Sequence, residues 1–280
     1  DGPNDPVWHC LSGASCYEFS STCPAVHQAW GANWPAPRGF LELSFDDPDA
    51  PYANVGTGGS GIALEMVAGA GPEVRPGKVA GGLSFNGLSQ SARVDTGFST
   101  VSSGWVLCMW LRVHAHNQGT SPPHHSYIVD NRVAGTGNFF WLMDVGTMYF
   151  NTGSGETSFA HTPNFGAWDY YCIRSTASET AFYLNGALVK SSSGVATLGG
   201  PLTIGSAAIQ YGSNQYGINY FMDGDLDSLF LHHGALTEGQ IVVQMYAARS
   251  SVISTSSWRS SPYINNYEGF QAYCASWSAN

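Results

Sequence analysis

The sequence predicts an all-β protein, a two-sheet antiparallel β-sandwich with one short helix near its end and an irregular arm at each terminus. Three observations carry that prediction. Short apolar runs of strand length recur through the middle of the chain, Gly, Asn, Ser and Asp clusters separate them, and only one segment has helical periodicity. The 280 residues include 34 Gly and 14 Pro, and 43% are hydrophobic. That is ample material for one large sandwich core.

Residues 1–37 form an arm containing Cys, Pro and Trp, which closes on Trp34-Pro-Ala-Pro37. Strands are predicted at 40–45, 82–85, 92–95, 105–113, 126–130, 139–145, 147–151, 168–175, 180–184, 202–204 and 226–232. Asn185-Gly186 follows Phe182-Tyr-Leu184 and signals a hairpin, because a type I′ turn needs positive φ at both central residues. Residues 237–247 read as a helix. Thr237 and Gln240 have the spacing of a capping box, and Ile241, Val242, Met245 and Tyr246 supply the apolar stripe. The sandwich is thus bounded at 38–248, and 249–280 form a Ser-rich second arm. Trp258, Tyr263, Tyr267, Phe270, Tyr273 and Trp277 make that arm too aromatic for a solvated linker.

Net charge is −10, and only 11% of residues are charged, against about 25% in an ordinary soluble domain. The only lysines are Lys78 and Lys190, which argues against a nucleic-acid surface. The longest apolar run, Trp105-Val-Leu-Cys-Met-Trp-Leu111, has strand length and is too short for a membrane helix. The opening Asp1-Gly-Pro-Asn-Asp-Pro6 lacks the features of a signal peptide, so the chain reads as a mature product. Cys10, Cys16 and Cys23 have a spacing that fits neither a zinc knuckle nor a redox motif, which favours disulfides and a secreted or cell-surface location. Three cysteines cannot all pair with one another. One is therefore expected to join Cys274, with intermolecular pairing as the competing arrangement; Cys108 and Cys172 stand in strand-like runs, and their pairing is open.

The order of several motifs resembles the laminin-G-like jelly roll of the concanavalin A-like lectin and glucanase superfamily. The landmarks are Leu83-Ser-Phe-Asn-Gly87, the run from Trp105, Gly166-Ala-Trp-Asp-Tyr-Tyr-Cys-Ile-Arg174, Phe182-Tyr-Leu-Asn-Gly-Ala-Leu-Val189, Leu202-Thr-Ile-Gly205 and Phe221-Met-Asp-Gly-Asp-Leu-Asp227. The short helix follows them. The resemblance covers about 40–248 and implies a structural calcium ion, for which Asp46, Asp49 and Asp227 are the candidate ligands along with backbone carbonyls.

Alternation along Asp223-Gly-Asp-Leu-Asp227 places three carboxylates on one face, superficially like a laminarinase-type glycoside hydrolase. The glutamates of that hydrolase motif are absent, so a non-enzyme is expected. The histidine pairs 114/116, 124/125 and 232/233 lack neighbouring ligands at zinc spacing and read as surface groups. A better functional candidate is Tyr211-Gly-Ser-Asn-Gln-Tyr216 with Asn219 and Tyr220. There Tyr211, Asn214, Gln215, Tyr216, Asn219 and Tyr220 combine aromatic faces with amide hydrogen-bonding groups suited to a sugar.

Two functions follow. The charge deficit and aromatic arms point to a structural or adhesive subunit of an extracellular assembly, of a filamentous kind, that associates with copies of itself or other proteins through its arms. With no Asn-x-Ser/Thr sequon in the chain, any glycan on it is O-linked. The alternative is a lectin-like carbohydrate-binding module with glycans as partners.

Overall fold

The computed structural model describes residues 38–59, 61–68, 71–94, 101, 104–116, 125–132, 139–152, 155–199, 201–207, 210–211, 214–215 and 220–247. The first strands are β1 (Leu41–Leu43), β2 (Leu64–Ala68), β3 (Glu73–Pro76), β4 (Gly81–Asn86), β5 (Ser91–Val94) and β6 (Trp105–Ala115). Then come β7 (Ser126–Asp130), β8 (Phe140–Asp144), β9 (Thr147–Thr152), β10 (Gly155–Ala160), β11 (Trp168–Ser175) and β12 (Thr180–Leu184). The series ends with β13 (Ala187–Ser192), β14 (Leu202–Ile204), β15 (Gln210–Tyr211), β16 (Asn214–Gln215), β17 (Asp223–His233) and helix α1 (Glu238–Ala247).

Two antiparallel sheets form the sandwich. The eight-stranded sheet runs β13-β12-β11-β6-β17-β4-β3, with β1 also paired to β17, and the seven-stranded sheet runs β10-β9-β8-β7-β14-β5-β2. Alternation decides what each contributes to the core. In β6 the inward set is Trp105, Leu107, Met109, Leu111 and Val113, and it shares one buried cluster with Trp141, Met143, Met148 and Phe150 of the other sheet. Trp141 packs 5.8 Å from Phe182 and 5.7 Å from Tyr171, tying the two sheets together. Each such buried aromatic contributes on the order of 2–3 kcal/mol through area removed from water. The buried Trp105 indole N–H donates to Ala196 O at 3.0 Å, so its polar atom is satisfied.

On the opposite face of the eight-stranded sheet, Cys108 and Cys172 are register partners of β6 and β11 and are joined by a disulfide, with Cα atoms 4.1 Å apart. The pairing left open by the sequence is therefore made. Asn185 and Gly186 have φ of 51° and 85°, as the hairpin reading required. The capping box also forms: Thr237 N–H donates to Gln240 Oε1 at 2.9 Å and Gln240 N–H donates to Thr237 Oγ1 at 3.2 Å.

Contacts divide the chain into Arg38–Leu236 and a second unit of Asp1–Pro37 with Thr237–Asn280. The helix, expected to belong to the sandwich, falls in the second unit. β2, β3, β10, β13, β15 and β16 were not among the predicted strands, although the Asn185-Gly186 hairpin signal pointed to β13. For β3 and β10 the reason is position: both are sheet edges, largely exposed, so they lack the apolar alternation that marks a strand. Cys10, Cys16, Cys23 and Cys274, and the arm aromatics Trp258, Tyr263, Tyr267, Phe270, Tyr273 and Trp277, lie outside the described residues.

Candidate functional site

The loop proposed for sugar contact is described only in part. Tyr211 and Asn214 are backbone partners in the small β15–β16 ribbon, with Gln210 opposite Gln215. Tyr216 and Asn219 lie outside the described residues. Tyr220, at the end of the loop, shows where its chain meets the sandwich. The Tyr127 N–H donates to Tyr220 O at 3.1 Å, and the two rings stand 5.7 Å apart.

This contact sits on the outer face of the seven-stranded sheet. Trp141, Met143, Met148 and Phe150 point inward, so by alternation Phe140, Leu142, Asp144 and Tyr149 point outward. Tyr127 is the register partner of Leu142, and Leu142 is that of Tyr149. Tyr127 and Tyr149 thus flank a buried Leu142 from two strands apart, about 10 Å at ordinary strand spacing. His125 bridges the remaining space, its ring 5.7 Å from Tyr220 and 6.2 Å from Tyr149. Tyr149, His125, Tyr220 and Tyr127 form one connected, half-buried aromatic surface.

A clamp fixes one end of it. Arg132 reaches back to Asp130 through Nε at 2.9 Å and Nη2 at 2.8 Å, and its backbone N–H donates to the same carboxylate at 3.0 Å. The guanidinium lies 4.1 Å from the Phe140 ring centre and 5.3 Å from that of Tyr127, and it also hydrogen-bonds Tyr127. Burial raises the Tyr127 phenol above its ordinary value, so it remains a neutral hydroxyl. Burial also lowers the His125 imidazole, against the pull of Asp144 and Glu156, so that ring is neutral above its ordinary value of 6.5.

Of these groups only Tyr220 belonged to the predicted site. His125, Tyr127 and Arg132 lie on and beside β7, and sheet register brings Tyr149 of β9 to the same face. The available signal was the 126–130 strand, whose Tyr127 and Asp130 interrupt an otherwise core-like run, together with Arg132 two residues on.

Of the aspartates predicted to share calcium, Asp46 and Asp227 are near enough to act on one another at the β3–β4 turn. Asp227 accepts the Val79 N–H at 2.9 Å through Oδ2 and the Ser228 hydroxyl at 3.0 Å through Oδ1. Asp46 accepts the Gly81 N–H at 3.0 Å. Both therefore hold the β3–β4 turn, while Asp49 is exposed in its own turn, donating its N–H to Asp47 at 2.9 Å. Among the described residues no group of three or more His, Cys, Asp and Glu could hold a metal ion.

The acidic run on β17 is likewise occupied. Asp225 is bonded to Arg112 Nη2 at 2.6 Å and Nε at 2.7 Å, with His114 Nε2 at 2.8 Å. Asp223 faces the other His114 nitrogen at 3.4 Å. Asp223 and Asp225 thus share His114, and Asp227 holds a turn, so each of the three carboxylates has a partner within the protein.

A family model described as the concanavalin A-like lectin/glucanases superfamily, of laminin G type, matches residues 86–242. The chain belongs to this superfamily. Solved structures of concanavalin A-like jelly-roll shape show the same sandwich. The binding domain of Paraclostridial Mosquitocidal Protein 1 is similar at 14% identity and a TM-score of 0.54, over 75% of this chain and 52% of that one. Domain 4 of AbnA, a GH43 extracellular arabinanase from Geobacillus stearothermophilus, solved with arabinotriose, is similar at 16% identity and a TM-score of 0.53, over 75% and 99%. The ligand binding domain of botulinum neurotoxin serotype D, solved with N-acetylneuraminic acid, is similar at 14% and 0.53, over 75% and 51%. The chain spans about half the length of the two toxin domains. At these identities the likeness is one of fold. No curated protein matches the chain in sequence.

Proposed function

We propose that this chain is a non-catalytic carbohydrate-binding module of the concanavalin A-like superfamily, acting outside the cell. The observation that carries the reading is the seating of Tyr220 on Tyr127. It joins the end of the predicted sugar-contact loop to an aromatic sheet face with hydrogen-bonding groups around it. Similar folds solved with arabinotriose and with N-acetylneuraminic acid support the same choice, by analogy of fold. The Cys108–Cys172 disulfide suits an oxidising compartment. No helix among the described residues is long and apolar enough to cross a membrane.

The reading of a self-assembling, O-glycosylated subunit rests on arm residues outside the described ones, and the comparisons favour the carbohydrate-binding alternative. Titration calorimetry of the intact protein against a panel of oligosaccharides tests that alternative. Tyr127→Ala and Tyr220→Ala are each expected to weaken binding about tenfold, the loss of one aromatic contact, with little change in melting temperature. Unchanged affinity in both variants would remove this face as the site.

A further inference from the structure

We infer that the aromatic face selects neutral oligosaccharides and discriminates against acidic ones such as uronates and sialylated glycans. This rests on the carbohydrate-binding reading of the same face and adds to it a charge class.

The argument is an inventory of charge on one sheet surface. Four carboxylates face outward from the seven-stranded sheet among the described residues: Glu65, Asp130, Asp144 and Glu156. Against them stand two guanidiniums, Arg93 and Arg132. The cation nearest the tyrosines is already neutralised. Arg132 holds Asp130 through two nitrogens, lies with its flat face on Phe140, and its side chain is only 17% exposed. Its charge is balanced by Asp130, its Nε and Nη2 donors are spent on that carboxylate, and only the Nη1 end of a largely buried side chain remains for a ligand. Arg93 is no substitute. Register places it across Thr203 from Asp130, two strands away, and sets Glu65 directly opposite it.

Negative charge lies where a ligand would rest. Asp144 Oδ2 is 3.8 Å from His125, and Glu156 is close enough to act on the same imidazole. With His125 neutral at and above neutral pH, that end of the platform is anionic. An acidic sugar stacked on Tyr127 and Tyr220 would meet unopposed carboxylates in a partly desolvated setting, where like charges repel more strongly than in water. A neutral sugar meets only hydroxyl, imidazole and carboxylate groups suited to its hydroxyls.

Calorimetry on the intact protein at about pH 7.5 tests this, with neutral arabino- and gluco-oligosaccharides set beside oligogalacturonate and sialyllactose. The neutral ligands are expected to bind, and the acidic ones at least tenfold more weakly, with a gap that narrows on adding salt. Asp144→Asn should narrow it about threefold. That change keeps an oxygen to accept the Val145 N–H, now bonded at 2.7 Å, so folding is preserved. Acidic ligands that bind as tightly as neutral ones, and lose affinity in Tyr127→Ala, overturn the charge inference while leaving the site in place. Binding of neither class, or binding indifferent to both tyrosine substitutions, overturns the carbohydrate reading itself.

Discussion

Asp227 is the residue whose chemistry departs furthest from its sequence reading. It stands in a run that invites metal or catalytic interpretation, yet its two oxygens are bound to Val79 and Ser228. Burial pushes its pKa up to about 7, partly offset by those hydrogen bonds and reinforced by the neighbouring Asp46 carboxylate. A carboxyl raised in the folded state binds its proton more tightly there than in the unfolded chain. Its stabilising contribution is therefore complete below the ordinary value of 3.8 and is lost as pH rises through about 7. Asp227→Asn keeps the neutral form at every pH. Melting curves of the variant are expected to converge with the parent at about pH 4 and to lie above it at about pH 8. Parallel curves across that range would show that Asp227 does not carry the effect. His125, His161 and His233 are shifted down by burial and act in the opposite sense, lost as pH falls below 6.5, so the difference between variant and parent is the informative quantity. Of the residues on the aromatic face, Tyr220 drew attention in the sequence because aromatic and amide groups are crowded beside it. Tyr127 and Tyr149 did not, because 22 positions of chain separate side chains that register brings to one face.

Strands were legible in proportion to their burial. β6, β11 and β17 form the middle of one sheet, and their long apolar runs located their ends to within three residues. β3 and β13, the outer strands of that sheet, are exposed along nearly their whole length; β13 was reachable only through the Asn185-Gly186 turn before it. The disulfide crosses between β6 and β11, closing a span of 64 residues. Replacing both cysteines with alanine should lower unfolding free energy by about 2–4 kcal/mol, as a constraint on the unfolded chain is lost. Denaturant titration of the two forms measures this; equal midpoints would show the bridge to be dispensable.

At the scale of the whole molecule, the sandwich was legible before any contact in the short apolar runs and the Gly, Asn, Ser and Asp clusters that separate them. Composition also favoured assembly, whereas the comparisons favour the carbohydrate-binding alternative. Low charge follows in part from the area committed to core, since both sheets are buried on their inner faces and the eight-stranded sheet also buries Trp110, Tyr170, Tyr183 and Phe230 on its outer one. A module that acts through one aromatic face is expected to run at the monomer mass of 29.8 kDa in light scattering. A mass many times larger that survives dilution would restore the assembly reading. The bridge from β6 to β11 also governs how the protein answers a pulling force. A tether attached outside the bridged span transmits tension across sulfur, so the chain between Cys108 and Cys172, a sequence separation of 64, stays slack when the rest of the sandwich is drawn out. The oxidised chain therefore falls short of its full contour by about 200 Å, a reserve of length that only a reductant releases.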